Sequence, residues 1–186
     1  MTIESCNSSF KLAKVLFPEE EWIPTEQNIW VARSRLSQEK KEPDKWRKEM
    51  AQIRILTNRG SIAYFLPESD KLGNPNKRYP DLVLDGTVLE IKAVSGTIKT
   101  LGLEFKRGYK QGKSLLEINL PAEYPKQSHS VFIHLLADLK IEAVKAKIAG
   151  ELKERLDEGN FICFFEKTYE LFHWSYKELR EIIGSR

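Results

Sequence analysis

Apolar residues along the 186-residue chain recur with two spacings, one typical of helices and one typical of strands. The helical spacing predicts helices over residues 44–58, 103–116, 139–156 and 176–183. Alternation and short apolar runs predict strands over residues 61–66, 129–136, 161–165 and 169–174, with a β-hairpin inside 79–94. From residue 44 the elements therefore follow the order α-β-β-β-α-β, then α-β-β-α, which predicts an α/β (α+β) fold.

Residues 1–43 carry a weaker pattern. It predicts, in order, a helix at 9–17, a turn at 22–25, a helix at 25–36 and an exposed linker at 37–44. Trp22 and Trp30 indicate that this segment packs onto the rest of the chain, since disordered tails are poor in aromatic residues. We therefore predict an N-terminal helical extension over 1–43 and a main domain over 44–186.

The hairpin is predicted from its turn, because Asp85-Gly86 supplies the two positive φ angles of a two-residue loop. This turn sets a register with three pairs: Leu84 opposite Thr87, Val83 opposite Val88, and Leu82 opposite Leu89. One step further, Asp81 lies opposite Glu90. Side chains alternate along a strand, so Glu90 and Lys92 share one face of the sheet.

Two carboxylates facing each other across a hairpin repel, with Cβ atoms only about 4.5–5.5 Å apart. Asp81 and Glu90 would therefore share a proton or hold a cation between them. Mg²⁺ typically takes one or two protein carboxylates and keeps water or phosphate as its other ligands. Lys92 brings an ammonium group to the same place, so the three residues are typical of a hydrolytic metal site.

Pro80-Asp81 followed by Glu90-Ile91-Lys92 resembles the PD-(D/E)xK signature of the restriction-endonuclease-like nuclease superfamily. The resemblance covers about residues 44–136. It implies a restriction-endonuclease-like core, with a central mixed β-sheet flanked by helices. It also implies a nuclease that uses Mg²⁺ or Mn²⁺, with Asp81 and Glu90 as metal ligands and Lys92 as a catalytic residue.

The resemblance implies further site residues. Glu49, on the first predicted helix, would add a carboxylate to the metal site, although it is equally placed to pair with Lys45 one turn away. The backbone carbonyl of Ile91 would complete the metal shell. Gln111 and Lys106, on the helix after the motif, match positions that point at the metal or the phosphates in this superfamily.

The charge distribution adds a candidate surface for nucleic acid. The net charge is only +3, but five basic residues follow the motif closely: Lys99, Lys106, Arg107, Lys110 and Lys113. A local basic surface beside a phosphodiester-cleaving site suits a polyanion, and Thr97 is placed to reach a backbone phosphate. The alternative interpretation is a solvated helix face.

Composition excludes several other classes. No apolar run approaches the roughly 18–20 residues that cross a bilayer, and the N-terminus lacks a signal-peptide pattern, so we expect no membrane contact. The two cysteines, Cys6 and Cys163, lie far apart and indicate free thiols in a reducing compartment. Three unclustered histidines argue against a His/Cys zinc site. We expect the protein to act in the cytoplasm of the producing cell, or of a target cell if it is delivered.

The order of motifs looks most like that of small toxin nucleases, such as the C-terminal tRNA-cleaving domains of contact-dependent growth inhibition proteins, and it is also similar to nucleases of phages and mobile elements. That resemblance implies a tRNA, RNA or DNA substrate and a dedicated immunity or inhibitor protein as a partner. One alternative is a metal-independent toxin ribonuclease, which would use histidines. Another is an inactive nuclease-like module that binds nucleic acid or protein. Intact Asp81, Glu90 and Lys92 favour the metal-dependent nuclease.

Overall fold

The computed structural model describes residues 3–68, 80–116, 129–152 and 159–184, and the side chains of all of these except 3–7, 112–116, 129 and 183–184. The described residues form six α-helices, one short 3-10 helix (Arg33–Arg35) and one eight-stranded sheet. The helices are α1 (Ile3–Leu16), α2 (Ser37–Lys41), α3 (Pro43–Thr57), α4 (Ile98–Leu116), α5 (Ile141–Leu152) and α6 (Tyr176–Gly184). The strands are β1 (Trp22–Glu26), β2 (Ile29–Ala32), β3 (Ala63–Phe65), β4 (Leu82–Leu84), β5 (Thr87–Val94), β6 (His129–Leu135), β7 (Asn160–Phe165) and β8 (Glu170–Ser175).

The eight strands lie side by side in chain order, from β1 to β8. The pairs β2/β3, β5/β6 and β6/β7 are parallel, and the other four pairs are antiparallel. The predicted α+β class with a mixed sheet flanked by helices is therefore confirmed. The predicted order is matched only loosely, because the segment before α3 adds two strands to the same sheet.

The helix predicted over 25–36 is wrong, because the chain there forms the end of β1, a turn and β2. Asn28 adopts a positive φ of 65°, which a helix does not allow. Ile29 and Val31 are fully buried on one side of β2, which is stabilised by parallel pairing with β3. The linker predicted over 37–44 is also wrong, since it contains α2.

One face of the sheet, here called the α3 face, is covered by α3. Trp46, Met50 and Ile53 project from α3 at helical spacing and are buried against the strands. The strands contribute alternate residues to this layer, including Leu89 and Ile91 of β5. The predicted apolar stripe of α3 is confirmed.

The opposite face of the sheet holds two separate apolar clusters. Around α1, the buried Leu12 packs with Val83 and Val88 of the hairpin. The other cluster packs α4, α5 and α6 onto the last strands through sixteen buried residues that include Val94 and Phe105. Because side chains alternate along β5, Glu90 and Lys92 project from this face between Val88 and Val94, which belong to different clusters.

Helix α4 begins at Ile98, earlier than the predicted residue 103, because Ile98 and Leu101 continue the apolar stripe that includes Phe105. The helix has 19 residues. Among the described residues, no helix combines the length and the apolar character needed to cross a bilayer.

Candidate functional site

The Asp85-Gly86 turn positions the candidate site. Asp85 and Gly86 have φ angles of 46° and 80°, the left-handed conformation that a two-residue hairpin loop requires. The three predicted pairs are all present: Leu82 with Leu89, Val83 with Val88, and Leu84 with Thr87. The turn is held from both sides, since the Ile62 amide donates to Asp85 Oδ1 at 2.8 Å and the Gly86 amide donates to Ser9 Oγ at 2.7 Å.

Asp81 lies one residue before β4, beyond the last pair of the ladder. Its Oδ2 accepts a hydrogen bond of 2.9 Å from the backbone amide of Ile91, so the side chain reaches across the hairpin to β5. Its Oδ1 lies 3.8 Å from Nη2 of Arg35. The carboxylate is thus fixed beside the Glu90-Ile91 segment while 21% of the side chain stays exposed.

Glu90 is the most unusual group of the site, because its carboxyl is buried, with 1% exposure. Lys92 Nζ donates to Glu90 Oε1, whereas Glu90 Oε2 has no hydrogen-bond partner among the described residues. Burial, and then the charge of Asp81, raise the pKa of Glu90 well above its ordinary value, and Lys92 acts in the opposite direction. Two acids placed this close together repel each other, and a proton or a cation between them would relieve that repulsion.

Helix α4 packs directly on Glu90 at Gly108. A Cβ atom built on Gly108 would lie 3.2 Å from Cγ of Glu90 and 3.0 Å from a methyl carbon of Val131. The absence of a side chain lets the helix approach the acid closely and exclude water from its stem. Gln111 lies three residues further on the same face of the helix, is half-buried and has a partner.

Glu49 lies on α3, which covers the other face of the sheet. Its Oε2 accepts from Arg35 Nη2 at 3.2 Å and from Gln38 Nε2 at 3.4 Å. Burial raises its pKa; Arg35 counteracts that effect and the charge of Asp81 reinforces it. Lys45, the alternative partner of Glu49, instead bonds through its amine to Glu42 at 3.2 Å and to Glu68 at 3.0 Å. Lys45 acts on Glu49 only through its charge.

Arg35 is a site residue that the sequence did not reveal. Its guanidinium is 4% exposed, lies over the ring of Phe65 at 3.6 Å and donates to the carbonyl of Leu66 at 2.9 Å. It is then shared between Glu49 and Asp81. These contacts depend on the pairing of β2 with β3, which is remote in sequence, so no local signal distinguishes Arg35 from a surface arginine.

The basic residues after the motif separate into different roles. Lys106 points at α5, where its Nζ lies 2.7 Å from Glu151, and Arg107 pairs with Glu104 on its own helix. Thr97, Lys99 and Lys110 are exposed, with Thr97 Oγ1 3.5 Å from the hydroxyl of Thr100. The side chain of Lys113 lies outside the described residues. The other four basic residues are all exposed, but Lys106 and Arg107 are paired with carboxylates, whereas Lys99 and Lys110 have no ion pair among the described residues.

The donor set fits a hard divalent cation that takes two protein carboxylates. Among the described residues, no three histidine, cysteine, aspartate or glutamate side chains form a cluster that could hold a metal ion. Asp81 and Glu90 come together, whereas Glu49 is engaged by Arg35 on the α3 face. The Oε2 atom of Glu90, which is buried and has no hydrogen-bond partner among the described residues, is the oxygen that a cation would contact. Mg²⁺ and Mn²⁺ accept such a set, with water completing the shell.

A cavity of about 180 Å³ lies at the turn end of the hairpin. Leu56, Leu84 and Leu89 line it from the α3 face, and His173 and Asn160 add polar groups. Asp81, Glu90 and Lys92 are not among its lining residues. The carboxylates therefore form a site separate from this cavity.

His134 and Cys163 have structural roles. The Nε2 atom of His134, on β6, lies 2.7 Å from Oε2 of Glu166, so this half-buried histidine has a polar partner. Cys163 is a free, buried thiol, and burial raises its pKa.

The chain was compared with known protein families, with curated proteins and with solved structures, and none of the three comparisons finds a match. The class that the structure defines is an α+β protein with one mixed eight-stranded sheet and, beside a tight hairpin, a buried glutamate in contact with a partly exposed lysine.

Proposed function

We propose that this protein is a divalent-metal-dependent phosphodiesterase that hydrolyses nucleic acid. The observation that carries the proposal is the carboxyl of Glu90, which is 1% exposed, has one oxygen without a partner, and lies beside Asp81. Burying an acid next to another acid costs stability, and such a cost is typical of a functional site. Lys92 in contact with Glu90 completes the set that phosphodiester hydrolysis needs.

In this proposal Asp81 and Glu90 hold Mg²⁺ or Mn²⁺, and the carbonyl of Ile91 adds a ligand. The bound ion would lower the pKa of a water molecule and offset charge on the phosphate. The Ile91 amide keeps Asp81 oriented. Lys92 would position the attacking water and stabilise the charge on the phosphate through its ammonium group, which now contacts Glu90. Gly108 lets α4 shield Glu90 from solvent.

The proposed substrate surface begins at the C-terminal end of β5, which follows Glu90 and Lys92. Lys99 and Lys110 are exposed on α4, which follows β5 after a three-residue connection from Ser95 to Thr97. Exposed lysines contact phosphates irrespective of base sequence. We therefore propose RNA (including tRNA) or DNA as the substrate class, bound through its backbone.

We further propose that α3, β3, β4, β5, α4 and β6 form a restriction-endonuclease-like core. Their order along the chain, with Asp81 before β4 and Glu90 and Lys92 on β5, supports this proposal. We also propose that the protein acts in the cytoplasm of the producing or a target cell, which the free thiol of Cys163 supports.

The test is an incubation of the purified protein with tRNA, single-stranded DNA and duplex DNA, with Mg²⁺, with Mn²⁺ and with EDTA. We expect cleavage of at least one substrate in either metal and none in EDTA. Glu90→Gln and Lys92→Met should each lower the cleavage rate by about 10²–10⁴-fold, since each removes a group that handles the ion or a proton.

The matched controls remove similar charges elsewhere. Glu21→Gln and Lys167→Met break exposed ion pairs with Arg33 and Asp138, and both should cleave at the wild-type rate. Undiminished cleavage in EDTA that is lost on substitution of a histidine would replace the proposal by metal-independent hydrolysis. Binding of nucleic acid without cleavage in any metal would replace it by a binding module.

A further inference from the structure

Arg35 has more contacts within the protein than a surface arginine makes. It stacks on Phe65, donates to the Leu66 carbonyl and bonds to Glu49, and its Nε has no partner among the described residues. Burying a guanidinium is costly unless its charge is compensated. The fold therefore holds this cation at one place, between Glu49 and Asp81.

Glu49 and Glu90 differ in the surroundings of their carboxyl groups, since the side chain of Glu49 is 18% exposed and that of Glu90 is buried. Glu49 Oε2 accepts from both Arg35 and Gln38, while Glu90 Oε2 accepts from no described group. Glu49 also projects from α3, on the face of the sheet opposite to Glu90. Glu49 is thus paired with a buried arginine, whereas Glu90 is the acid with a buried oxygen that has no partner among the described residues.

Asp81 has a hydrogen bond at one carboxylate oxygen and a longer ionic contact at the other. The Ile91 amide bonds to Oδ2 at 2.9 Å, and Arg35 Nη2 lies 3.8 Å from Oδ1. The first contact comes from the hairpin itself. The second comes from the segment after β2, and it is the only one of the two that a side-chain substitution can remove.

We propose that Arg35 is a positioning residue that fixes Asp81 for metal binding, and that Glu49 acts through Arg35 rather than as a metal ligand. The proposal rests on the proposed function, because it concerns the same metal site. Residues that orient metal ligands from outside the shell typically change metal affinity by 10–100-fold when they are substituted.

The test is a measurement of Mn²⁺ affinity by calorimetry and by the electron paramagnetic resonance signal of free Mn²⁺, with the full chain and no nucleic acid. Arg35→Gln should weaken Mn²⁺ binding by about 10–100-fold, and Arg35→Lys should recover part of that loss because it keeps the charge without the fork. Arg54→Gln is the matched control. Arg54 lies on α3 and pairs with Glu26 of β1, so this substitution also breaks an arginine–glutamate pair but should leave Mn²⁺ affinity unchanged.

A double-mutant cycle distinguishes the two roles of Glu49, acting through Arg35 or acting as a metal ligand. If Glu49 acts through Arg35, Glu49→Gln weakens Mn²⁺ binding in the wild-type chain and has no further effect in Arg35→Gln. If the double variant loses affinity by the product of the two single losses, Glu49 acts independently of Arg35 as a ligand and the inference is overturned. Wild-type Mn²⁺ affinity in Arg35→Gln would also overturn it. If Arg35→Gln does not fold, the same cycle is run with Arg35→Lys, where fully independent effects overturn the inference.

Loss of the proposed function has a different signature. A wild-type chain that binds no Mn²⁺ would remove the metal site, and the inference with it. Binding that Glu90→Gln abolishes but Arg35→Gln leaves intact would preserve the proposed function and overturn only the role of Arg35.

Discussion

At the scale of single residues, Gly108 determines how closely α4 approaches the candidate site. Its missing Cβ would lie 3.0 Å from Val131 and 3.2 Å from Glu90, which is closer than side chains normally pack. Gly150, on the exposed side of α5, offers the opposite case, since nothing lies within 4 Å of its missing Cβ. The same substitution should therefore have opposite effects at the two positions.

We expect Gly108→Ala to lower the free energy of unfolding by about 1–3 kcal/mol, because the added methyl group overpacks the contact between α4 and β5. Gly150→Ala should raise it by about 0.5–1 kcal/mol, because alanine favours an open helical position. Urea unfolding of both variants measures the two changes. A neutral or stabilising Gly108→Ala would show that α4 does not pack tightly on Glu90.

The residue scale also separates what the sequence could reveal from what it could not. Glu90 and Lys92 were predictable as neighbours on one face, since alternation along a strand is a local property. Arg35 was not predictable, because its partners Phe65 and Glu49 are brought to it by strand pairing and by a helix that covers the sheet. Local spacing indicated the acids but not the cation that orients one of them.

At the scale of elements, the hairpin and β2 show why some strands were predicted and others were missed. The register of β4 and β5 follows from the two residues of the turn, Asp85 and Gly86. Strand β2 has only four residues, and its Ile29 and Val31 become a strand through pairing with β3. A short apolar run without a turn signal is compatible with either helix or strand, and tertiary pairing decides the outcome.

The contact between α4 and α5 has a pH dependence of known sign. Burial raises the pKa of Glu151, but hydrogen bonds from Lys106 and Lys147 outweigh this effect and hold it below its ordinary value of 4.5. A lowered pKa in the folded state contributes stability above the unfolded pKa, and that stability is lost as the pH falls through the folded pKa.

We expect Glu151→Gln to lower the free energy of unfolding by about 0.5–1 kcal/mol at neutral pH, since the lysines are partly exposed. The difference from wild type should shrink once the pH is below 4.5 and the carboxyl of the wild type is protonated. Urea unfolding at several pH values measures it, with Glu39→Gln on α2 as an exposed control. A difference that stays constant with pH would contradict the ion-pair explanation.

At the scale of the whole molecule, the first 43 residues take part in both layers of the sheet. Leu12 and Ala13 of α1 pack on the face that carries Val83. Ile29 of β2 packs on the α3 face and is fully buried. The division of the chain at residue 43 stays a prediction, and these contacts give it a direct physical test.

Because the segment before α3 supplies core side chains on both faces, we expect residues 44–186 alone to show no cooperative unfolding transition. Removing residues 1–43 would leave Val83 and Val88 without α1, leave β3 with one free edge, and delete Arg35 from its contact with Glu49. Thermal and urea unfolding followed by circular dichroism tests the fragment.

Two substitutions in the full chain measure the contribution of each face separately. Leu12→Ala and Ile29→Ala should each lower the free energy of unfolding by about 2–5 kcal/mol. A fragment that unfolds cooperatively with the stability of the full chain would make residues 1–43 an independent extension, and Arg35 would then be dispensable for the fold around Asp81.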